Sequence, residues 1–517
     1  MIVEADAIKF DPDRASLDDA LEGPLFSKTT IESLAEILSQ RGRSAAIHEQ
    51  CTLTLKLISC SARSKKARQA LVRSGILDIL ASKLAAFANE DLHHIGRSLP
   101  SGLLPPLLPR SSLPHLLDAI TQIIRGSSYR SMRLICNKDI SALFPIPLYS
   151  GSGSSTTATM NYLLPKLEAM QGRPARDIQK AFPALSCFER STDTPPKGKL
   201  DTVAATAPRS LFPDEVVSPF EDWLACLART TVRMERLAAV WLLGHLIPAV
   251  SKVCPEIQAD LISMRSRERS LALLVVPVIV KMIEDATPKS GTSSKVESPS
   301  EQKFQLLVRE RAPKALSKLI QDSSALQKAA VDAGAIKVLS QLLKKTFEPF
   351  TASQQSLWSP TSSNLDDDRA RSVEVQQKII AVTPEAMHAF QIRASALRAI
   401  ATLGQKEDGP RKYIIEASVM QPVYDSLQPL DASIDIQGKS LSEVNPSNVL
   451  VAACKLITAL SRSVSILRTS LIDARIAKPI FKLLKHPNIR VQLAATAAAT
   501  NLVLNFSPMR EVSAKEI

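Results

Sequence analysis

A short register recurs along the chain and constrains its fold more than any other feature of the sequence. It consists of an apolar helix end, a turn of one or two residues, and apolar positions at helical spacing. It occurs four times: ALVRSGILDILASKL around Gly75, AAVDAGAIKVLSQLL around Gly334, YIIEASVMQPVYDSL around Ser418 and SLIDARIAKPIFKLL around Arg475. Glycine allows the positive φ that a sharp bend between two short helices needs. Ser418 and Arg475 therefore predict turns that are built differently or carry strain.

A second pattern, in which small residues and leucine or isoleucine alternate at helical spacing, lies before or after these turns. It covers 51–58, 239–246, 312–319, 396–403, 453–460 and 495–502. Small residues three apart allow neighbouring helices to approach closely, while the leucines fill the core. Two short helices followed by a longer one form the armadillo unit, and 468–507 is one complete unit of about 40 residues.

Composition agrees with a helical chain, because aromatic residues make up only 4% and there are only 16 glycines. The predicted fold is an all-α, armadillo/HEAT-type right-handed superhelical solenoid with long disordered insertions. We predict N-terminal armadillo-like repeats over 25–145, a flexible Ser/Thr/Pro-rich insertion over 149–218, armadillo-like helices over 219–286, a linker over 287–300, and C-terminal armadillo repeats over 301–511 with insertions at 345–370 and 431–447. The proline-rich stretch 99–114 breaks helical patterns repeatedly, and no element is predicted for it.

The sequence argues against catalysis, bound cofactors, metal sites and membrane spans. It contains no glycine-rich phosphate loop, no HExxH motif and no GxSxG motif. The seven cysteines are scattered and form no CxxC pair, which indicates reduced thiols rather than metal ligands. The most apolar run, 271–280, is half the length that a membrane span needs, and no signal-peptide pattern is present. A net charge of +13 suggests nucleic acid, but the charge is spread along the chain with few aromatic residues between, so that partner is not favoured.

The expected binding surface is the face formed by the third helices of the stacked units. In armadillo proteins an asparagine ladder on this face can grip an extended peptide, but among the corresponding positions here only Asn501 is asparagine. The same face carries several basic residues and one tryptophan. We predict a basic groove for an acidic or C-terminal carboxylate segment, formed by Trp241, His245, Lys314, Lys318, Arg398, Lys455 and Asn501.

Longer strings in the C-terminal half carry a more specific signal than the repeat period. SRSVSILRTSLIDARIAKPIFKLL (461–484) followed by NLVLNFSPMRE (501–511) resembles the armadillo-repeat scaffold subunit of GID/CTLH ubiquitin ligase complexes, a family also known as vacuolar import and degradation proteins. LSKLIQDSSALQKAAV (316–331) and LGQKEDGPRKYIIEASVM (403–420) support the resemblance in the same order. The resemblance is good over about 301–511 and faint over about 30–145.

The resemblance implies a role rather than a reaction. It implies a non-catalytic scaffold that bridges a substrate receptor to the core containing the LisH/CTLH-type and RING-bearing subunits, in support of proteasomal degradation, in the cytoplasm and nucleus. Because family proteins continue past the Phe-Ser-Pro motif, a C-terminally shortened member is expected. The alternative hypothesis is a general armadillo adaptor for transport or signalling, outside ubiquitination.

Overall fold

The computed structural model describes residues 27–42, 44–62, 64–93, 104–144, 219–253, 261–287, 298–348, 384–429, 445–462, 471 and 475–503. Almost all of the secondary structure in these ranges is α-helical, and the β pairing there is one isolated bridge between Pro429 and Asn445. The all-α prediction is therefore confirmed. Most of the predicted insertions at 149–218, 345–370 and 431–447, and most of the linker at 287–300, lie outside the described residues.

The helices are α1 Lys28–Ser39, α2 Ala45–Ser61, α3 Lys65–Arg73, α4 Ile76–His93, α5 Leu113–Ile124, α6 Ser128–Ile135, α7 Lys138–Leu143, α8 Pro219–Thr230, α9 Arg233–Val253, α10 Leu261–Leu274, α11 Val276–Ala286, α12 Pro299–Leu319, α13 Ser324–Asp332, α14 Ala335–Lys345, α15 Pro384–Leu403, α16 Asp408–Glu416, α17 Met420–Ser426, α18 Ser447–Leu460, α19 Ala477–Leu483 and α20 Ile489–Val503. A 3₁₀ turn over Arg110–Ser112 precedes α5.

Serine residues define where several helices begin. Each accepts a hydrogen bond from a backbone N–H in the first turn of its helix, which satisfies a donor that has no partner within the helix. The capping serines are Ser27, Ser44, Ser64, Ser127, Ser298 and Ser323. These side-chain caps define the first turns of six helices.

The chain divides into two compact units. The first contains residues up to 282 together with 294–333, and the second contains 283–293 together with 334–517. In the first unit α2, α5, α9 and α12 pack side by side in that order. In the second unit α15, α18 and α20 do the same. These two sets are called the first and second third-helix rows.

The six segments predicted to be third helices all lie in these rows. They fall within α2, α9, α12, α15, α18 and α20. The remaining member of the first row, α5, was not predicted, because its start lies in the stretch 99–114 where proline obscures the pattern. Pro114 sits in the first turn of α5, where a missing backbone N–H costs nothing, so it starts the helix instead of breaking it.

Helices on either side of the segment 149–218 pack together. Helix α5, which precedes the segment, packs directly on α9, which follows it, within the first compact unit.

All four turns of the short register adopt the left-handed conformation. The φ angles are 78° at Gly75, 81° at Gly334, 54° at Ser418 and 55° at Arg475. The turns at Ser418 and Arg475 are thus built in the same way as those at the glycines. A residue with a side chain in the left-handed region costs roughly 1–2 kcal/mol. The sequence allowed either a different turn or strain at Ser418 and Arg475, and the structure shows the strained alternative.

A buried arginine in the second unit links the residue after α14 to a residue just before α18. Arg393 on α15 is 1% exposed and donates from Nε to Oγ1 of Thr346 (3.2 Å), from Nη2 to O of Thr346 (2.8 Å) and from Nη1 to Oδ1 of Asn445. Its guanidinium also lies 3.6 Å from the centre of the Phe347 ring. Burial lowers the pKa of Arg393 to about 10, so it is still a cation at neutral pH. The end of α14 and the beginning of α18 are thereby held against one helix.

Candidate protein-binding surface

The seven residues of the predicted groove are divided between the two third-helix rows. Trp241 and His245 lie on α9, and Lys314 and Lys318 lie on α12, in the first unit. Arg398, Lys455 and Asn501 lie on α15, α18 and α20 in the second unit. Four of the seven residues therefore belong to the first unit and three to the second.

Helices α9 and α12 approach closely because α9 carries a glycine at their contact. A Cβ atom on Gly244 would lie 3.0 Å from the backbone oxygen of Ala315 and 3.1 Å from its Cα. Few real Cβ contacts are this short, so the separation of the two helices depends on glycine here. This spacing places the side chains of α12 over the rings that project from α9.

The aromatic pair on α9, which the sequence predicts as part of the basic groove, is buried. Trp241 is 2% exposed and His245 is 5% exposed. Their ring centres are 4.3 Å apart in an edge-to-face arrangement, and Nδ1 of His245 lies 2.9 Å from the backbone oxygen of Trp241. A carbonyl oxygen only accepts, so Nδ1 carries the proton and Nε2 does not when the ring is neutral.

Basic side chains surround this pair on two sides. From α12, Nζ of Lys314 lies 5.5 Å and Cζ of Arg311 lies 5.8 Å from the centre of the Trp241 ring, distances at which cations are attracted to an indole face. Arg311 also donates to Asp118 of α5, with an N–O distance of 2.8 Å. We call Arg125, Trp241, His245, Arg311, Lys314 and Lys318 the Trp241 cluster.

Electrostatics keep His245 neutral in this cluster. Burial, together with the positive charges of Lys318, Arg125 and Lys314, holds the pKa of His245 well below its usual range. The hydrogen bond to the backbone of Trp241 acts in the opposite direction but is outweighed. The imidazole is therefore uncharged at pH 7.

Two carboxylates act on the arginines of the cluster. Asp118 pairs with Arg311, and Glu310 acts on Arg125, whose pKa is nevertheless lowered by burial. The charge of Arg311 is therefore already engaged by a carboxylate of the neighbouring helix.

The three predicted residues of the second unit are more accessible. Lys455 is exposed, while Arg398 and Asn501 are half-buried. Asn501 donates from Nδ2 to the backbone oxygen of Thr458 at 3.2 Å, so its amide nitrogen joins α20 to α18. The only asparagine at a ladder position therefore cross-links two helices of its own row.

Sequence reasoning missed Arg311, Arg125 and Asp118. Arg311 lies one helical turn before the predicted position on α12. Asp118 lies on α5 and Arg125 directly follows it, and no helix was predicted there. The pairing of Arg311 with Asp118 joins residues 193 positions apart. No local pattern indicates such a pair. It could have been suggested only if α5 had been predicted as a neighbour of the other third helices.

The described ranges contain neither a candidate metal site nor a candidate membrane span. No group of three His, Cys, Asp or Glu side chains there could hold a metal ion. No helix in those ranges is both long enough and apolar enough to cross a membrane.

Known proteins with similar sequences carry armadillo or GID complex names. The chain is 27% identical over 321 residues to GID complex subunit 5 of Schizosaccharomyces pombe, which covers 61% of this chain and 32% of that protein. It is 35% identical over 124 residues to Armadillo repeat-containing protein 8 of Mus musculus, covering 24% of this chain and 16% of that protein. The matched region thus spans about a third or less of these relatives' lengths.

The chain can also be compared with solved structures and with protein-family models. A designed armadillo repeat protein aligns with a TM-score of 0.34 at 14% identity, covering 57% of this chain and 87% of that one. No protein-family model matches the chain. The resemblance predicted from the repeat strings is confirmed by the sequence relatives: the chain is similar to GID complex subunit 5 over 61% of its length and to Armadillo repeat-containing protein 8 over 24%.

Proposed function

We propose that the chain is a non-catalytic scaffold of a GID/CTLH-type E3 ubiquitin ligase, which bridges a substrate receptor to the core of the complex. The proposed partners are the receptor and the LisH/CTLH-type and RING-bearing subunits, and the proposed outcome is proteasome-dependent degradation of target proteins. The proposed location is the cytoplasm and the nucleus. The observation that carries this proposal is the similarity to GID complex subunit 5 over 321 residues.

The architecture supports a binding role. Stacked helices present an extended surface on which several partners can dock at once, and they need no internal catalytic site. The basic residues of both third-helix rows provide charge complementarity for acidic segments, which steers association and sets register. We propose Trp241, His245, Lys314, Lys318, Arg398, Lys455 and Asn501 as residues that form or support the binding surfaces.

Affinity purification with mass spectrometry tests the assignment. The tagged chain, expressed in cells of its own organism, should recover LisH/CTLH-type and RING-bearing proteins. Recovery of transport or signalling proteins without these subunits would instead support a general armadillo adaptor and contradict the ligase assignment.

Charge reversal tests the surface. Lys314→Glu and Arg398→Glu should each reduce recovery of at least one subunit, because a negative charge would repel an acidic segment. Lys337→Glu and Lys412→Glu serve as matched controls, since both lysines are exposed on α14 and α16, outside the rows. Equal recovery by all four variants and the unaltered chain would show that the basic residues of the rows do not bind partners.

A further inference from the structure

Ser298 differs from the other capping serines in the residue that follows it. It caps α12 and directly precedes Pro299, whereas none of the other five capping serines precedes a proline. A Ser-Pro dipeptide is what proline-directed protein kinases recognise when they transfer a phosphoryl group from ATP to a hydroxyl. Proline also suits the first position of a helix, where no backbone N–H is needed. The local sequence is therefore that of both a helix start and a kinase substrate.

The structure describes the hydroxyl groups of two Ser-Pro or Thr-Pro sites, and these groups differ in exposure. Thr287, which precedes Pro288, is 8% exposed, and its Oγ1 donates to the backbone oxygen of Ile283 at 2.7 Å. Ser298 is exposed, and its Oγ accepts from the backbone N–H of Glu301 at 3.3 Å. Phosphoryl transfer requires the hydroxyl oxygen to lie in line with the γ-phosphate of ATP. Burial excludes Thr287 from this geometry, whereas Ser298 is accessible.

The groups around Ser298 suit a phosphate. The start of a helix presents backbone N–H groups and a partial positive charge, both of which favour an anion. Arg233, the first residue of α9, reaches the same end of α12, since its Nη2 lies 3.3 Å from Oε2 of Glu301. The side chain of Arg233 is 73% exposed. A guanidinium has five N–H donors, so it can bind a phosphate oxygen and keep its contact with Glu301.

We propose that Ser298 is phosphorylated by a proline-directed protein kinase and that the phosphate stabilises the start of α12. In this step Oγ of Ser298 attacks the γ-phosphorus of ATP, and the bond between that phosphorus and the bridging oxygen of the β-phosphate breaks. ADP leaves, and the hydroxyl proton passes to a carboxylate of the kinase. The phosphate oxygens then accept from the N–H of Glu301 and from Arg233. The inference goes beyond the proposed scaffold function and does not depend on it.

The expected effect of the phosphate is on the first compact unit. Arg233 begins α9 and Ser298 caps α12, and these two helices pack side by side in the first third-helix row. A phosphate held by groups of both helices joins their starts. The modified chain should therefore melt at a higher temperature than the unmodified chain, by about 2 °C.

Incubation of the full chain with ATP and a proline-directed kinase tests the modification, with a cyclin-dependent kinase and a mitogen-activated protein kinase assayed separately. Peptide mapping by mass spectrometry should find at least about tenfold more phosphate on Ser298 than on Thr287, because a buried hydroxyl reacts only after local unfolding. Ser300→Ala should leave the phosphate on Ser298 unchanged, and Ser298→Ala should remove it from the same peptide. Absence of phosphate from Ser298 with both kinases, or equal phosphate on Thr287, would overturn the inference.

Thermal melting tests the effect of the phosphate, with the same sample after phosphatase treatment as the reference. The Ser298→Ala chain, treated identically, gives the contribution of phosphate at any other site. Arg233→Gln should lose most of the gain in melting temperature, while Arg229→Gln, which changes an exposed arginine on α8, should keep it. Each variant is compared with its own unphosphorylated form, so the cost of the substitution itself cancels. No gain in the unaltered chain, or an equal gain in Arg233→Gln, would contradict the stabilising role.

Discussion

The close contact of α9 with α12 depends on the absence of a Cβ atom at Gly244. We predict that Gly244→Ala lowers the free energy of unfolding by about 1–2 kcal/mol, because the new methyl group would meet the backbone of Ala315 at 3.0–3.2 Å. Without this contact, replacing a helical glycine by alanine gains about 1 kcal/mol. Urea denaturation followed by circular dichroism measures the difference.

Gly409→Ala is the matched control for this prediction. Gly409 also lies in a helix, but a Cβ there would meet no atom within 4 Å. It should therefore leave stability unchanged or raise it by up to about 1 kcal/mol. Equal shifts in the two variants would mean that the contact at Gly244 is not tight.

The side chain of Arg393 also stabilises the fold through individual hydrogen bonds. Arg393→Met should lower the free energy of unfolding by about 2 kcal/mol, since it leaves an oxygen of half-buried Thr346 and one of buried Asn445 without their donor. Arg393→Lys should restore little, because one ammonium cannot replace a guanidinium that donates in three directions. Lys412→Met, on the exposed surface of the same unit, should change stability by less than about 0.5 kcal/mol. Denaturation curves in which Arg393→Met behaves like Lys412→Met would contradict the role assigned to Arg393.

Among the elements, the short turns within the repeats offer the cleanest test of backbone strain. Ser418→Gly should stabilise the chain by about 0.5–1 kcal/mol, and Gly334→Ala should destabilise it by about 1 kcal/mol. Both residues adopt positive φ, and a Cβ on Gly334 would touch nothing, so packing does not enter the comparison. Ser418→Ala is the control, since it keeps the strain. Thermal melting that ranks Ser418→Gly no higher than Ser418→Ala would show that the turn relaxes at no cost.

Helices of the third-helix rows could be predicted because their pattern is local. Small residues and leucines at helical spacing give the six segments directly. The helix α5 was missed because Pro114 has opposite meanings at a helix start and in a helix interior. The same pattern predicts Trp241, His245 and Lys314 on one face, but the burial of the two rings depends on how closely α9 and α12 pack. The pairing of Arg311 with Asp118 depends on the whole first unit, so it could not be read from a segment.

At the scale of the whole molecule, the division into two compact units predicts two unfolding transitions. Calorimetry should resolve the two transitions, and a destabilising variant should lower the temperature of only the transition of its own unit. Gly244→Ala lies in the first unit and Arg393→Met in the second, so they should lower different transitions. Repeat proteins couple neighbouring units strongly when their interfaces are continuous. A single transition that both variants lower together would therefore show that the two units unfold as one.

Arg393 has a consequence for how such a chain can change over time. It fixes the place where the chain leaves α14 and the place where it returns to α18. Replacing Asn445 alone would leave the buried guanidinium without one of its acceptors, and replacing Arg393 alone would leave the amide oxygen of Asn445 without its donor. The two positions are therefore expected to change together, or not at all, as such a chain diverges.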